Sequence, residues 1–256
     1  MSRTVDNFDA LAKILNWNFV KRCIYHVQII VRKKDGVHDA VGNNDGRTIK
    51  SYMFESEADF FAKRQEIVAL CQLFNARAYI CPSPKPVFAC LENVGHLTLT
   101  KMRESYKTNN HINLHAIPDS AIAITEPLAA DKKRIIDVDT LDEEKVNKVV
   151  EYINTHHIPR KREQKFDRDA KKYGLDRKSA LSPIYCVLPT PNGYHILCKR
   201  FDTREFEQFA KDNDIELTYE ELNVTSNNGF TVLYYCNPED SVIKFDDKPI
   251  EFKQID

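Results

Sequence analysis

The 256-residue sequence contains no run of about 20 uncharged apolar residues, the length that a membrane-spanning helix requires. Its first ten residues, MSRTVDNFDA, are too polar and acidic for a signal peptide. Neither sign of charge dominates, with 37 Lys and Arg against 38 Asp and Glu, and there is no internal repeat or low-complexity tract. These absences exclude collagen, coiled coil and disorder, and we expect a globular protein of the cytoplasm with no membrane partner.

The cysteines also lack the spacing of a metal site. There are seven, an odd number, and no two form a CxxC pair. Several lie in apolar segments such as IYCVL and LYYC. Because thiols stay reduced in the cytoplasm, we predict core residues rather than a disulfide framework or a zinc site.

Positive charge is concentrated in one segment, although the whole chain is nearly neutral. Between Arg160 and Lys178 nine basic residues stand against four acidic ones. Two interpretations remain open, a solvated helical face with i, i+4 pairs or a strip that contacts nucleic-acid phosphates. The candidate nucleic-acid-binding residues are Arg160, Lys161, Arg162, Lys171 and Lys172.

The first half of the chain, residues 1–130, mixes helical and strand patterns. The predicted elements, in chain order, are a helix at 7–16, strands at 23–35 and 49–54, a helix capped by Ser56, a strand at 76–84 and a helix at 88–105. The two strands at 23–35 and 49–54 are predicted to form a hairpin. The stretch that ends at residue 133 is expected to be irregular, apart from the apolar patch AIAITEPLAA.

The second half, residues 131–256, changes character. A short strand, KKRIIDVDT, precedes the helical pattern DEEKVNKVVEYINTHH, and IYCVLPTPNGYHILCK is predicted to be a hairpin with its tip at PTPNG. A helix at 203–211 and strand-like segments, including FTVLYYC, follow. This order predicts an α+β fold in which one sheet has its helices on one side.

Two acidic residues end the first strand of this half. Asp137 and Asp139 are two positions apart, so in a strand both carboxylates would lie on one face. Two such close negative charges are costly unless a cation lies between them. The alternative is a strand end in which Asp139 or Thr140 caps the following helix.

The predicted hairpin carries a histidine directly after its tip. Gly193 would let a ligand approach the main chain, and His195 could donate to a phosphate oxygen or move a proton near neutral pH. Lys199, further along the hairpin, could add positive charge. The alternative is an exposed surface histidine, which is the commoner case.

Taken together, a strand with an acid-x-acid, a helix and a hairpin with small-x-His resemble the catalytic core of the archaeo-eukaryotic primase superfamily, the primases and primase-polymerases. The residues that carry the resemblance lie in IIDVDT and in GYH within TPNGYHILCKRF, and it covers roughly residues 133–236. It implies a primase-like fold, with an N-terminal α/β module over 1–130 packed on an RRM-like palm over 131–256 that has a mainly antiparallel sheet. The first module would help to hold nucleic acid.

The resemblance also implies roles for individual residues. Asp137 and Asp139 would hold Mg²⁺ or Mn²⁺, and His195, with Gly193 and Lys199, would contact the triphosphate of an incoming nucleotide. The third acid of the family falls on Asn223 in this chain, and Glu221, two residues earlier, is the candidate substitute. The catalytic residues would be Asp137, Asp139 and His195.

The function expected from these features is template-directed nucleotidyl transfer. A primase-like enzyme would make or extend short strands on a single-stranded DNA template from nucleoside triphosphates, in replication or repair of a phage or mobile element. A diverged, non-catalytic primase fold that binds nucleic acid or protein is the alternative. A metal-dependent nuclease is a third interpretation, but no HNH or PD-(D/E)xK arrangement supports it.

Overall fold

The structure is a computed structural model that describes residues 3–19, 21–32, 46–111, 113–128, 131–158, 182–215, 217–218 and 229–241. The strands are β1 (Val5–Asp6), β2 (Cys23–Arg32), β3 (Gly46–Phe54), β4 (Arg77–Ile80), β5 (Lys85–Pro86), β6 (Arg134–Val138), β7 (Ile184–Pro189), β8 (Tyr194–Cys198), β9 (Leu217–Thr218) and β10 (Thr231–Tyr235). The helices are α1 (Phe8–Ala12), α2 (Glu57–Ala62), α3 (Arg64–Leu73), α4 (Val87–Thr108), α5 (Ile117–Ile124), α6 (Glu143–Thr155) and α7 (Phe206–Asp212), with 3₁₀ turns at Leu114–Ala116 and Pro238–Asp240. The fold is therefore α+β.

The first sheet has the strand order β1-β10-β4-β2-β3, with β5 beside the start of β2. The predicted hairpin of β2 and β3 is confirmed, and its register pairs Tyr25 with Phe54. Alternation along β2 places Tyr25, Val27 and Ile29 on one fully buried face. That face packs with α1 to α3, including Phe60, to form the largest apolar core among the described residues.

The helix predicted after Ser56 forms for the expected reason. The Ser56 hydroxyl accepts a hydrogen bond from the backbone N–H of Asp59 at 3.2 Å, which satisfies one of the free donors at the start of α2. Phe60, in this helix, is completely buried. Helix α2, capped by Ser56, therefore contributes the aromatic side chain of Phe60 to the core of the first sheet.

The second sheet has the order β7-β8-β6-β9, and all its described pairings are antiparallel. Its two faces pack against different partners. One face carries Ile136 and Ile196, which pack against α6 and α7. The other face carries Ile135, Leu188 and Leu197, which belong to the core of the first sheet. The helices thus cover one side of this sheet, as predicted, and the first sheet's core covers the other.

Strand β10 does not lie in the sheet to which its position in the sequence assigned it. The segment FTVLYYC was predicted within the second half, yet β10 pairs with β1 and β4 of the first sheet. The buried side chain of Leu233 lies in the first core. Among the described strands, a division of the chain at residue 130 therefore assigns each strand to the correct sheet except β10, which follows residue 130 but belongs to the first sheet.

The stretch predicted to be irregular contains helix α5. Pro118 lies in its first turn, where a missing N–H costs nothing. At its other end, the buried ammonium of Lys85 donates to the carbonyls of Ile122 and Ala123, at 2.5 and 3.2 Å. That contact comes from 37 residues earlier in the chain, so no local pattern could reveal it.

Helix α4 extends the prediction of 88–105 by a residue at the start and by three at the end. It ends at Asn109, which adopts a left-handed backbone conformation with φ of 54°. Within the described part of the chain, no helix is both long and apolar enough to cross a membrane.

Candidate functional site

The structure brings together two of the residues predicted to act in catalysis. In the antiparallel pairing of β6 with β8, Asp137 lies directly opposite His195. The Nε2 atom of His195 is 3.2 Å from Oδ1 of Asp137. The histidine side chain is 7% exposed and that of the aspartate 25%. This pair lies where one face of the second sheet meets the first sheet.

The other ring nitrogen of His195 is held by a residue of the first sheet. Its Nδ1 is 2.9 Å from the hydroxyl of Thr231, which is fully buried at the start of β10. The direction of this hydrogen bond depends on the ring tautomer, and the opposite ring nitrogen, Nε2, faces the carboxylate of Asp137. Both sheets therefore fix the orientation of the imidazole.

The carboxylate of Asp137 is only partly used by these contacts. His195 engages Oδ1, and no residue in the described ranges donates to Oδ2. A partly exposed carboxylate oxygen without a donor can accept a hydrogen bond or bind a hard cation. Asp137 is therefore placed to bind a further group.

Asp139 lies one residue beyond the end of β6 and is exposed. The backbone N–H of Thr140 donates to the carbonyl of Val138 at 2.9 Å, which closes a tight turn around Asp139. Because β6 ends at Val138, the alternation that was predicted to place Asp137 and Asp139 on one strand face does not extend to Asp139. Asp142, not Asp139 or Thr140, caps helix α6, since its side chain accepts from the N–H of Glu144.

Gly193 is required by the protein's own backbone. A Cβ atom at this position would lie 2.1 Å from the carbonyl oxygen of Val138 and 3.0 Å from the nitrogen of Thr140. The sequence predicts that this glycine lets a ligand approach the main chain. The structure offers another reason for a glycine here, because the end of β6 already occupies the space beside it. Through this contact the hairpin tip packs directly against the turn that contains Asp139.

Arg3 holds the hairpin tip from outside and was not predicted. Its guanidinium donates to the carbonyls of Thr190 and Gly193, at 3.0 and 2.6 Å, and lies 4.4 Å from the ring centroid of Tyr194. These residues are about 190 positions apart in the sequence, so no local pattern links them. Thr231 was missed for the same reason.

Lys199 lies away from the pair. It is the first residue after β8, at the end of that strand remote from the hairpin tip, and its N–H donates to the carbonyl of Pro183 at 2.7 Å. At about 3.3 Å per residue its backbone is roughly 13 Å along the strand from His195. The structure therefore does not bring this predicted nucleotide-binding residue to the site.

Several predicted residues lie outside the described residues. They are the basic candidates Arg160, Lys161, Arg162, Lys171 and Lys172, the substitute metal ligand Glu221, and Asn223. Within the described ranges, no group of three or more His, Cys, Asp or Glu side chains is arranged to hold a metal ion.

A second His–Asp pair, between the buried His26 of β2 and Asp119 of helix α5, was not predicted. The Nε2 atom of His26 is 3.1 Å from Oδ1 of Asp119, and the Ser51 hydroxyl donates to Oδ2 at 2.8 Å. Burial raises the pKa of the Asp119 carboxyl, but hydrogen bonds from His26 and Ser51 outweigh it, so this pKa lies below its ordinary value. Both oxygens of this carboxylate are occupied.

Comparison of the chain with protein families, with curated proteins and with solved structures finds no match.

Proposed function

We propose that this protein is a primase-like nucleotidyltransferase, which makes or extends short nucleic-acid strands on a single-stranded DNA template from nucleoside triphosphates. The observation that carries the proposal is the contact between Asp137 and His195 on neighbouring strands, with one aspartate oxygen left without a described donor. A carboxylate for a cation and a histidine for a phosphate are the two groups that such chemistry needs at one place.

The donor atoms present fit a hard divalent cation. Asp137 and Asp139 would hold Mg²⁺ or Mn²⁺ through carboxylate oxygens, which these ions prefer, and Glu221 is the candidate third ligand. When bound, such ions stabilise the attacking 3′-hydroxyl and the leaving pyrophosphate.

The contribution of His195 is to bind and orient the triphosphate. Its Nε2 lies 3.2 Å from Oδ1 of Asp137 in this structure and would contact a phosphate oxygen when a nucleotide binds. Thr231 keeps its bond to Nδ1 throughout, so the ring need not reorient. The Gly193 hairpin and Arg3 hold the strand that carries this histidine.

A specific observation favours a second candidate, a diverged primase fold that binds nucleic acid without turnover. Both ring nitrogens of His195 are engaged inside the protein, by Asp137 and Thr231. In this view the His–Asp contact stabilises the junction of the two sheets, and the protein acts as a binding module.

The experiment that separates the two is nucleotide incorporation on primed and unprimed single-stranded DNA with labelled nucleotides and Mg²⁺ or Mn²⁺. The variants are Asp137→Ala with Asp139→Ala, and Glu207→Ala as the matched control, since Glu207 is an exposed carboxylate on α7. We expect extended products from the wild-type and control proteins, and a loss on the order of 100-fold or more in the double variant. If no protein incorporates nucleotide while all bind the DNA equally, the enzyme proposal fails and the binding module is supported.

A further inference from the structure

Helix α4 carries a stripe of large apolar side chains that no described part of the protein covers. Of its 22 residues only Cys90 is buried. The exposed apolar side chains, with their relative exposures, are Phe88 at 72%, Leu91 at 63%, Leu99 at 59%, Met102 at 53% and Tyr106 at 92%. Apolar patches of this extent on a folded protein mark interaction surfaces.

The spacing of these residues makes the stripe straight. With Gly95 included, the steps from Phe88 to Tyr106 are three, four, four, three and four residues. This is an 11-residue period of about 3.67 residues per turn, close to the 3.6 of an α-helix. At about 1.5 Å per residue, the stripe runs roughly 27 Å along one face of α4.

We propose that this stripe is the interface of a homodimer in which the α4 helices of two copies pack antiparallel. With a two-fold axis at residue 97, Phe88 lies opposite Tyr106 of the second copy, and Gly95 lies opposite its Leu99. At Gly95 nothing lies within 4 Å of the position of a Cβ atom, so the gap can accept a leucine side chain. Self-complementarity of this kind is what a two-fold interface requires.

The charges beside the stripe agree with the antiparallel arrangement. Glu92 and Arg103 are 11 residues apart, so they lie on the same side of the stripe. A two-fold axis perpendicular to both helices brings each side of the stripe of one copy next to the same side of the stripe of the other copy. Glu92 of each copy then lies beside Arg103 of the other, and the interface gains two opposite-charge contacts. Neither residue forms an ion pair within the described part of one copy.

The first test is the mass of the full-length protein by sedimentation velocity across a concentration series. We expect a dimer, and a rise of at least tenfold in its dissociation constant for Leu99→Glu combined with Met102→Glu. Leu141→Glu is the matched control, because Leu141 is 52% exposed and lies outside α4. Circular dichroism checks that each variant is folded. A wild-type protein that stays monomeric at about 100 μM overturns the proposal.

The second test exchanges the charges of Glu92 and Arg103, which lie beside each other across the interface only when the two helices are antiparallel. Glu92→Arg by itself is expected to weaken the dimer, and Glu92→Arg with Arg103→Glu is expected to restore the wild-type dissociation constant. Failure of the double variant to recover the dimer overturns the antiparallel arrangement. None of these residues belongs to the His195 site, so the outcome is independent of the proposed function.

Discussion

Two His–Asp pairs, each with a buried histidine, have nearly the same N–O distance but different surroundings. In each, Nε2 of the histidine is close to Oδ1 of the aspartate, at 3.1 Å for His26 and Asp119 and at 3.2 Å for His195 and Asp137. In the first sheet, Ser51 occupies the second oxygen of the aspartate. In the second, Oδ2 of Asp137 has no donor among the described residues.

The histidines also differ, in whether the Nδ1 atom of the ring has a hydrogen-bond partner. Nδ1 of His26 is buried and without a partner within the described residues, whereas Nδ1 of His195 is bound by Thr231. Both oxygens of Asp119 are thus contacted, whereas at the second pair both ring nitrogens of His195 are contacted and one oxygen of Asp137 is left without a described donor. The distance within a pair therefore does not decide its role, because the role depends on which atoms the surroundings leave free.

The largest expected effect separates the two aspartates by activity. Asp137→Asn is expected to lower nucleotide incorporation on the order of 100-fold, because an amide is a poor ligand for a hard cation. Asp119→Asn is expected to leave incorporation within about threefold of wild type when assayed on folded protein. Steady-state incorporation rates at 20 °C measure both. Equal losses in the two variants would show that the pairs do not differ in function.

The next effect concerns the hairpin that carries His195. Gly193→Ala is expected to lower the free energy of unfolding by about 2–3 kcal/mol, because its Cβ would meet backbone atoms of Val138 that cannot easily move. Gly229→Ala is the matched control, with its closest contact at 3.2 Å to the flexible end of Ile135, and is expected to cost less than about 1 kcal/mol. Urea unfolding followed by circular dichroism compares them. A Gly193→Ala variant as stable as the control would show that the hairpin tip adjusts freely.

A smaller effect is expected for the contact between the sheets at Thr231. Thr231→Val keeps the shape but removes the hydroxyl, so Nδ1 of His195 loses its partner at a cost of about 1–2 kcal/mol. Thr231→Ser keeps the hydroxyl and is expected to retain most of that stability. The same urea unfolding measurement tests both, and equal stabilities for Val and Ser would mean that the hydrogen bond contributes little.

The smallest effect is a pH dependence at Asp119, the α5 residue that contacts His26 and Ser51 of the first sheet. Because the pKa of Asp119 is lower in the folded than in the unfolded protein, the unfolded chain takes up this proton first as the pH falls. The stabilisation from Asp119 is therefore present above the ordinary aspartate pKa of about 3.9 and is lost as the pH falls through the lower, folded value. Asp119→Asn is expected to flatten the fall in stability below about pH 4, as measured by thermal unfolding across pH. An unchanged pH profile would contradict this.

Local patterns predicted the elements whose causes are local. The β2–β3 hairpin, the cap at Ser56 and the hairpin before His195 all follow from alternation, capping and turn residues that stand close together in the sequence. Predictions were wrong where the cause is distant. Helix α5 is stabilised by Lys85, and β10 joins the first sheet through pairings with β1 and β4.

For the candidate site, the sequence by itself determined the residue types and their strands, Asp137 at the end of β6 and His195 after a hairpin tip. Only the tertiary structure decided that these two side chains touch, that Thr231 binds the histidine ring while Arg3 holds the hairpin tip, and that Lys199 lies apart. The physical reason is that strand register and sheet packing place residues side by side across long separations in the chain, whereas propensity and periodicity act only over a few neighbouring residues.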